Sequence, residues 1–226
     1  NQLEKKFLLQ EEISKKFSED GFFLYKNAFK NNDLDNLRSA WKEIKSLINS
    51  NLIERSARFI YGSLPQKAGS LYLNPKLVEL AKILLSTENI ALYMNRILIK
   101  DPSWSGEVNL HQDMPYFHGT SKKVSVFVNL TDCMQENGGL KFVKGSHKYG
   151  LIQRGTIKRD VFPHMEDFCP NLKLGDVVFM DFLTWHYSLK ATIPTDRPIL
   201  QITYQSAKDG SYGGRVNGVL EPTLVS

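Results

Sequence analysis

The sequence predicts a mostly β fold with flanking helices: an antiparallel sandwich or barrel with the helices packed on one sheet. Two features of the apolar pattern predict it. Apolar residues recur every three or four positions through the first part of the chain, then run or alternate with period two from about residue 90 onward. The later apolar stretches are separated by Gly, Pro, Asn and Asp clusters with no helical period between them, which argues against parallel βαβ units. At 226 residues the chain suits one domain, expected to span 1–226 with a helical part over about 1–88 and a β core over about 89–226.

The first helix is announced by Leu9, Ile13 and Phe17, four residues apart and so on one face, and it should end near "EDG". A short strand, "GFFLYKNAF", follows. Leu34, Leu37, Trp41, Ile44 and Ile48 make a longer helical stripe behind possible caps at Asn32 and Asp33. Asn74-Pro75 reads as cap and first-turn proline of a third helix carrying Leu77, Leu80 and Leu84. Four strands are then expected: "IALYMNRILI" (90–99), "VSVFVNL" (124–130), "DVVFMDF" (176–182) and "PILQITYQ" (198–205). Within the second of these, Val124, Val126, Val128 and Leu130 form the core face. Ser125, Phe127 and Asn129 lie opposite, polar enough to face a cavity.

Composition excludes several classes. With 42% hydrophobic and 23% charged residues the chain is neither disordered nor fibrous. No apolar run reaches the roughly 18 residues of a membrane span, and the charged start "NQLEKKFLLQEEISKK" lacks the apolar centre of a signal peptide, so a cytoplasmic location and no membrane partner are expected. The chain begins with Asn1 rather than Met, which leaves open what precedes it. Cys133 and Cys169 show no CxxC spacing and are expected to be free thiols. The net charge of +5 comes from pairs such as Lys5/Lys6, Lys15/Lys16 and Lys122/Lys123 scattered among acids, read as solvated surface. No nucleic-acid signature accompanies them.

Of five histidines, His111 is distinguished by Asp113 two positions on, a spacing that in a strand puts both side chains on one face. His186 sits in "LGDVVFMDFLTWHYSLKATIPTDRPIL", with Arg197 eleven residues later (197 − 186). A strand bearing His186 beside one beginning near Arg197 would set the guanidinium just beyond a metal. There it could pair with the far end of a dicarboxylate that chelates the metal. Two imidazoles and a carboxylate on one face of an octahedron are the ligand set of non-haem Fe(II) oxygenases. Two of the three remaining positions suit the 2-oxo acid of 2-oxoglutarate, and the third suits dioxygen.

These residues, together with "EEISKKFSEDGFFLYKNAF", "HQD" (111–113), "ENGGLKFVKGSH" (136–147) and "GDVVFMDFLTWHYS" (175–188), make the chain resemble the phytanoyl-CoA dioxygenase family of Fe(II)/2-oxoglutarate-dependent oxygenases. The resemblance implies a double-stranded β-helix (jelly-roll, cupin-like) core. It implies His111, Asp113 and His186 as catalytic iron ligands, with Arg197 on the distal carboxylate of 2-oxoglutarate and Ser188 assisting it. Gln112 and Phe127 are carried over as further cosubstrate contacts. The implied reaction couples conversion of 2-oxoglutarate and O2 to succinate and CO2 with hydroxylation, or another oxidation, of a C–H bond in a small molecule. Asp113 disfavours halogenation, because related halogenases replace this acid. Lys144 and the run "KATIPTD" depart from many relatives and bear on the substrate rather than the ligand set. A small or anionic metabolite is favoured over a fatty acyl-CoA, and oligomeric state is left open.

The competing classes are a binding or regulatory jelly-roll protein without turnover, against which the intact ligand set with Arg197 argues, and a cupin-like metal hydrolase or isomerase, which has no need of Arg197. His147 in "KGSH" reads as a structural loop residue beside Gly138, Gly139 and Gly145. His118 and His164 read as exposed, with His118 near enough to the HxD pair to reach a substrate. Asp176 is expected to cap its turn, and Asp132 and Asp181 to sit at the surface or at strand ends. Trp104, Met114, Tyr116 and Trp185 are expected to pack in the sandwich or line the substrate side.

Overall fold

A computed structural model describes residues 2–60, 64–117, 119, 121–152, 157–209 and 223–225. Helix α1 (Gln2–Asp20) buries Ile13 and Phe17, while Leu9 on the expected face is exposed. It stops at Gly21, whose φ of +84° favours glycine. A side chain there would also collide with His147 and Thr184, since its Cβ would stand 2.5 Å from an atom of each. Strand β1 (Phe22–Tyr25) follows. Helix α2 (Asn32–Asn49) buries Leu37, Ala40, Trp41 and Ile44. It differs from expectation at its start: the cap is Asn31, at φ 50°, and its side chain makes no capping bond. Asp33 and Asp35 lie in the first turn, where they face the positive end of the helix dipole.

A two-residue strand, β2 (Phe59–Ile60), and a single helical turn, α3 (Gln66–Gly69), lead to α4 (Pro75–Leu85). At α4 the expected cap is present: Asn74 Oδ1 accepts from the backbone N–H groups of Lys76 (3.0 Å) and Leu77 (3.4 Å). None of the described helices is long and apolar enough to cross a membrane.

The remaining strands are β3 (Ile90–Lys100), β4 (Val108–His111), β5 (Lys123–Asn129), β6 (Leu140–Val143), β7 (Asp167–Phe168), β8 (Val177–Asp181), β9 (His186–Ser188), β10 (Arg197–Ser206) and β11 (Thr223–Leu224). They form two sheets. The larger runs β1-β8-β5-β10-β3-β11, with β2 also on β3, and the smaller runs β4-β9-β6-β7. From β3 to β10 the strands alternate between the sheets except at β6 and β7, which is the winding of a jelly roll. Two strands from the amino-terminal part, β1 and β2, extend the larger sheet, so the helical part is not purely helical.

Strand alternation divides the larger sheet into two chemically different faces. Ile97, Ile99, Val124, Val126, Val128, Val177, Phe179, Leu200, Ile202 and Tyr204 pack against the buried residues of α1, α2 and α4 in one cluster. Each large apolar side chain removed from water there contributes roughly 1.5–3 kcal/mol. The opposite face carries Arg96, Lys100, Ser125, Phe127, Arg197 and Gln201 toward the smaller sheet. Lys123 belongs to this inner face. It was expected at the surface as one of a lysine pair, yet it has no exposed area and its ammonium lies 3.3 Å from Asp209. Only Lys122 of the pair faces water. Cys133 and Cys169 are free thiols.

Candidate metal centre

His111 is the last residue of β4 and pairs directly with His186 of β9. Between Val108 and His111 the ladder slips: three steps along β4 (108 to 111) match two along β9 (188 to 186). An extra residue of this kind re-aims every following side chain. Without it Leu110 would oppose His186; with it, the two imidazoles face each other with centroids 4.3 Å apart. Asp113 lies past the strand, in a bend of helical backbone conformation (φ −75°, ψ −37°). The same-face rule for strands therefore does not apply to the pair, and the turn brings the carboxylate back. Asp113 Oδ1 is 3.5 Å from His111 Nε2 and 3.7 Å from His186 Nε2. One ligand atom from each of the three residues lies within 4.8 Å of the others.

Both rings are held in the tautomer a metal requires. The Nδ1 of His111 lies 2.7 Å from the carbonyl oxygen of Asn109, and that of His186 lies 3.0 Å from the carbonyl oxygen of Thr184. A carbonyl only accepts, so Nδ1–H donates in both cases and each Nε2 turns its lone pair to the centre. Burial, reinforced by the His111 imidazole, pushes His186 down to about 4 and keeps it neutral at physiological pH. Burial works to raise Asp113, but His186, His111 and Arg96 outweigh it and hold the carboxyl at about 2. A neutral His186 and an ionised Asp113 are the result. The carboxylate is steadied from behind by Gln201, whose Nε2 donates to Asp113 Oδ2 (3.4 Å) and to Ser125 Oγ (3.1 Å). Arg96 Nε donates to Gln201 Oε1 (2.8 Å).

The three residues line a cavity of about 440 Å³ between the sheets, in the range of small-molecule sites. At one side lie Arg197, Ser188, Lys100 and Phe127; Trp104, Tyr116, Phe117, Arg58, Arg96 and Glu107 also line it. Arg197 is 3% exposed, and among the described residues its Nε and Nη1 have no hydrogen-bond partner, nor does Ser188 Oγ. Unpaired buried donors on a cation are costly, which marks this corner as built for an anion.

Two expectations change, for Arg197 and for Gln112. Arg197 and His186 are not on adjacent strands; they belong to opposite sheets and meet across the cavity. Gln112, expected on the cosubstrate, is not among the cavity's lining residues. Its amide donates to the carbonyl oxygens of Gly150 and Leu183, both at 2.8 Å, and accepts from Ile152 N at 3.2 Å, so it ties loops together. Trp185 is wholly buried in a separate cluster with Leu110, Val143 and Phe162, and Met114 is not among the lining residues either, whereas Trp104 and Tyr116 are. His118 lies outside the described residues.

His147 is half-buried, its Nε2 lies 2.9 Å from the Ser18 carbonyl oxygen, and it anchors α1; His164 is exposed. Asp176 takes the backbone N–H groups of Asn27 and Lys173, as a turn cap does. Gln201, Arg96 and Lys100 were not singled out from the sequence. The available signal was a polar residue on the inner face of an otherwise apolar strand.

The family model described as "Phytanoyl-CoA dioxygenase (PhyH)" matches residues 17–197. A curated relative, the phytanoyl-CoA dioxygenase domain-containing protein 1 homolog of Dictyostelium discoideum, is 27% identical over 165 residues, 61% of this chain and 57% of that protein. The chain spans from 28% to 57% of the length of the curated relatives it matches. Among solved structures, the epimerase SnoN in complex with Fe3+, alpha ketoglutarate and nogalamycin RO superposes with a TM-score of 0.80 at 17% identity, covering 97% of this chain and 99% of that one. EctD from S. alaskensis with 2-oxoglutarate and 5-hydroxyectoine gives 0.75 at 19% identity, covering 88% and 76%. These likenesses fix the jelly-roll fold. With the family model matched over most of its length, the chain belongs to the phytanoyl-CoA dioxygenase family.

Proposed function

We propose that the chain is an Fe(II)- and 2-oxoglutarate-dependent dioxygenase that hydroxylates, or otherwise oxidises, a C–H bond of a small molecule. The observation that carries this reading is one cavity holding two imidazole lone pairs, an ionised carboxylate and, facing them, an arginine with orphaned N–H groups. The donor set fits ferrous iron. His111, Asp113 and His186 would hold the metal. Arg197 and Ser188 would hold the far carboxylate of 2-oxoglutarate, with Phe127 against its carbon chain. When bound, iron and 2-oxoglutarate together supply the activation of dioxygen, with succinate and CO2 as co-products.

The protein's own residues orient and exclude. The carbonyls of Asn109 and Thr184 fix the imidazoles, Gln201 fixes Asp113, and the apolar walls Leu98, Ile99, Leu140 and Phe127 keep water from the cosubstrate corner. The primary substrate would enter past Trp104, Tyr116, Phe117, Arg58 and Arg96. Two arginines on that wall and a cavity of about 440 Å³ favour a small anionic metabolite. A cupin-like hydrolase or isomerase has no need of Arg197, and succinate formation separates turnover from binding alone.

The test is succinate formation from 2-oxoglutarate under air with Fe(II), alongside metal binding. His111→Ala and His186→Ala should abolish both. His147→Ala should lower the melting temperature and leave metal binding intact. Loss of metal binding on His147→Ala alone would refute the ligand assignment.

A further inference from the structure

The corner that holds Arg197 contains a second buried cation. Lys100, the last residue of β3, is the register partner of Arg197 on β10, so the two side chains leave the same face of the sheet side by side. Neither reaches water: Lys100 is 0% exposed and Arg197 3%. Like charges placed directly opposite on neighbouring strands repel, and burial adds to the cost. The chain nevertheless makes room for this lysine. At Gly138, φ is +78°, and a Cβ there would stand 2.5 Å from Lys100 Cδ and 2.7 Å from its Nζ.

The Lys100 ammonium donates one N–H to the Leu189 carbonyl oxygen (2.5 Å) and makes no other hydrogen bond among the described residues. Its charged and titratable neighbours are Arg197 on β10, Cys133 after β5 and Glu107 before β4. Burial pushes the Cys133 thiol up, so it carries no charge, while Glu107 favours the charged form of Lys100 without forming an ion pair with it among the described residues. Among the described residues, the groups without a hydrogen-bond partner are therefore two N–H of Lys100, whose ammonium also lies 5.6 Å from the centroid of the Trp104 ring, Nε and Nη1 of Arg197, and Ser188 Oγ, all on residues lining the same cavity.

We infer that Lys100 is a cosubstrate-binding residue: its ammonium and the Arg197 guanidinium together clamp the far carboxylate of the 2-oxo acid. This rests on the reading of the cavity as a 2-oxoglutarate site. One carboxylate between two cations removes their repulsion and satisfies the orphaned donors. The clamp selects 2-oxo acids that carry a second carboxylate. It also couples binding to protons, because burial and Arg197 hold Lys100 at about 8 without an anion, and the carboxylate would draw a proton back onto it.

The experiment is calorimetric titration of the Mn(II)-loaded full chain, without oxygen, with 2-oxoglutarate and with pyruvate, which lacks the far carboxylate. Lys100→Met should weaken 2-oxoglutarate by about 10- to 100-fold, the worth of a charge-assisted hydrogen bond. Pyruvate should be unaffected, and Lys100→Arg should retain most of the affinity. A folded Lys100→Met protein that binds 2-oxoglutarate like the wild type overturns the inference, as does an equal loss for both acids.

Wild-type protein without preference for 2-oxoglutarate over pyruvate would instead fail the reading of the whole site, and the clamp with it. A measurement on the wild type covers the case in which Lys100→Met does not fold. Across pH 7–10, 2-oxoglutarate should take up protons on binding, read from the dependence of the heat on buffer ionisation. At pH 6.5 uptake should vanish because Lys100 is already charged. No uptake anywhere between pH 7 and 10 overturns the clamp.

Discussion

Replacing Gln201 by Met isolates the role of the residue behind the metal site. The side chain keeps its approximate volume and loses its amide. In the folded protein this removes the bond to Asp113 Oδ2 at 3.4 Å, the bond to Ser125 Oγ at 3.1 Å and the acceptor for Arg96 Nε at 2.8 Å. Ser125 Oγ still meets Thr203 Oγ1 at 3.1 Å, so it is not stranded. The direct loss falls on the carboxylate. Outer-shell partners of metal ligands are worth about 10- to 100-fold in metal affinity, and the 3.4 Å length of this bond places the expectation at the lower end, near tenfold, or about 1.4 kcal/mol. Stability should fall by a further ~1–2 kcal/mol through the lost Arg96 bond, which lowers the melting temperature of a domain this size by a few degrees. Competition titration of Fe(II) or Mn(II), paired with a thermal melt, measures both. Metal affinity within twofold of wild type would show that Asp113 is oriented without Gln201 and would refute the reasoning.

Three further outcomes are expected. Arg55 grips Asp101 with both arms, at 2.6 and 3.0 Å. Burial raises the Asp101 carboxyl, but this pairing and Ser103 outweigh it and hold it at about 2, below its ordinary 3.8. A depressed carboxylate stabilises the fold above pH about 4 and loses that contribution as pH falls toward 2. Acid titration of stability should show a loss on the order of 2 kcal/mol in that window, absent in Asp101→Asn. Phe179→Ala, wholly buried between the larger sheet and the helices, should cost about 3–5 kcal/mol in denaturant unfolding. Gly138→Ala should destabilise by about 1–2 kcal/mol through its positive φ and push Lys100 from its place, which weaker 2-oxoglutarate binding would reveal.

What the sequence made legible and what it hid follow from strand length and from where polar residues sit. The long strands β3, β5, β8 and β10 display enough residues for period two to show, and each lies within about two residues of its expected bounds. The smaller sheet is built from strands of two to four residues, too short to announce a period, and it carries His111, His186 and Ser188. The two histidines were found through chemistry and spacing, and Ser188 through the family resemblance. Asp113 was found through a rule for strands that its bend does not obey. Gln201 and Lys100 were overlooked because a polar residue in an apolar strand reads as its solvated face, and only a second sheet reveals that this face is interior. Lys123 was misjudged for the same reason: it opens β5 on the inner face with Ser125 and Phe127, while Lys122 precedes the strand. Gln112 shows the opposite error, since its neighbours in "HQD" suggested a ligand contact while its amide holds two loops.

The most direct test of the metal centre is a crystal of the chain grown without oxygen and soaked with Mn(II) and 2-oxoglutarate. A single anomalous peak bonded to both Nε2 atoms and to Asp113, with the 2-oxo acid on the metal and its far carboxylate on Arg197, is the expected result. Metal bound elsewhere, or the acid seated away from Arg197, would contradict it.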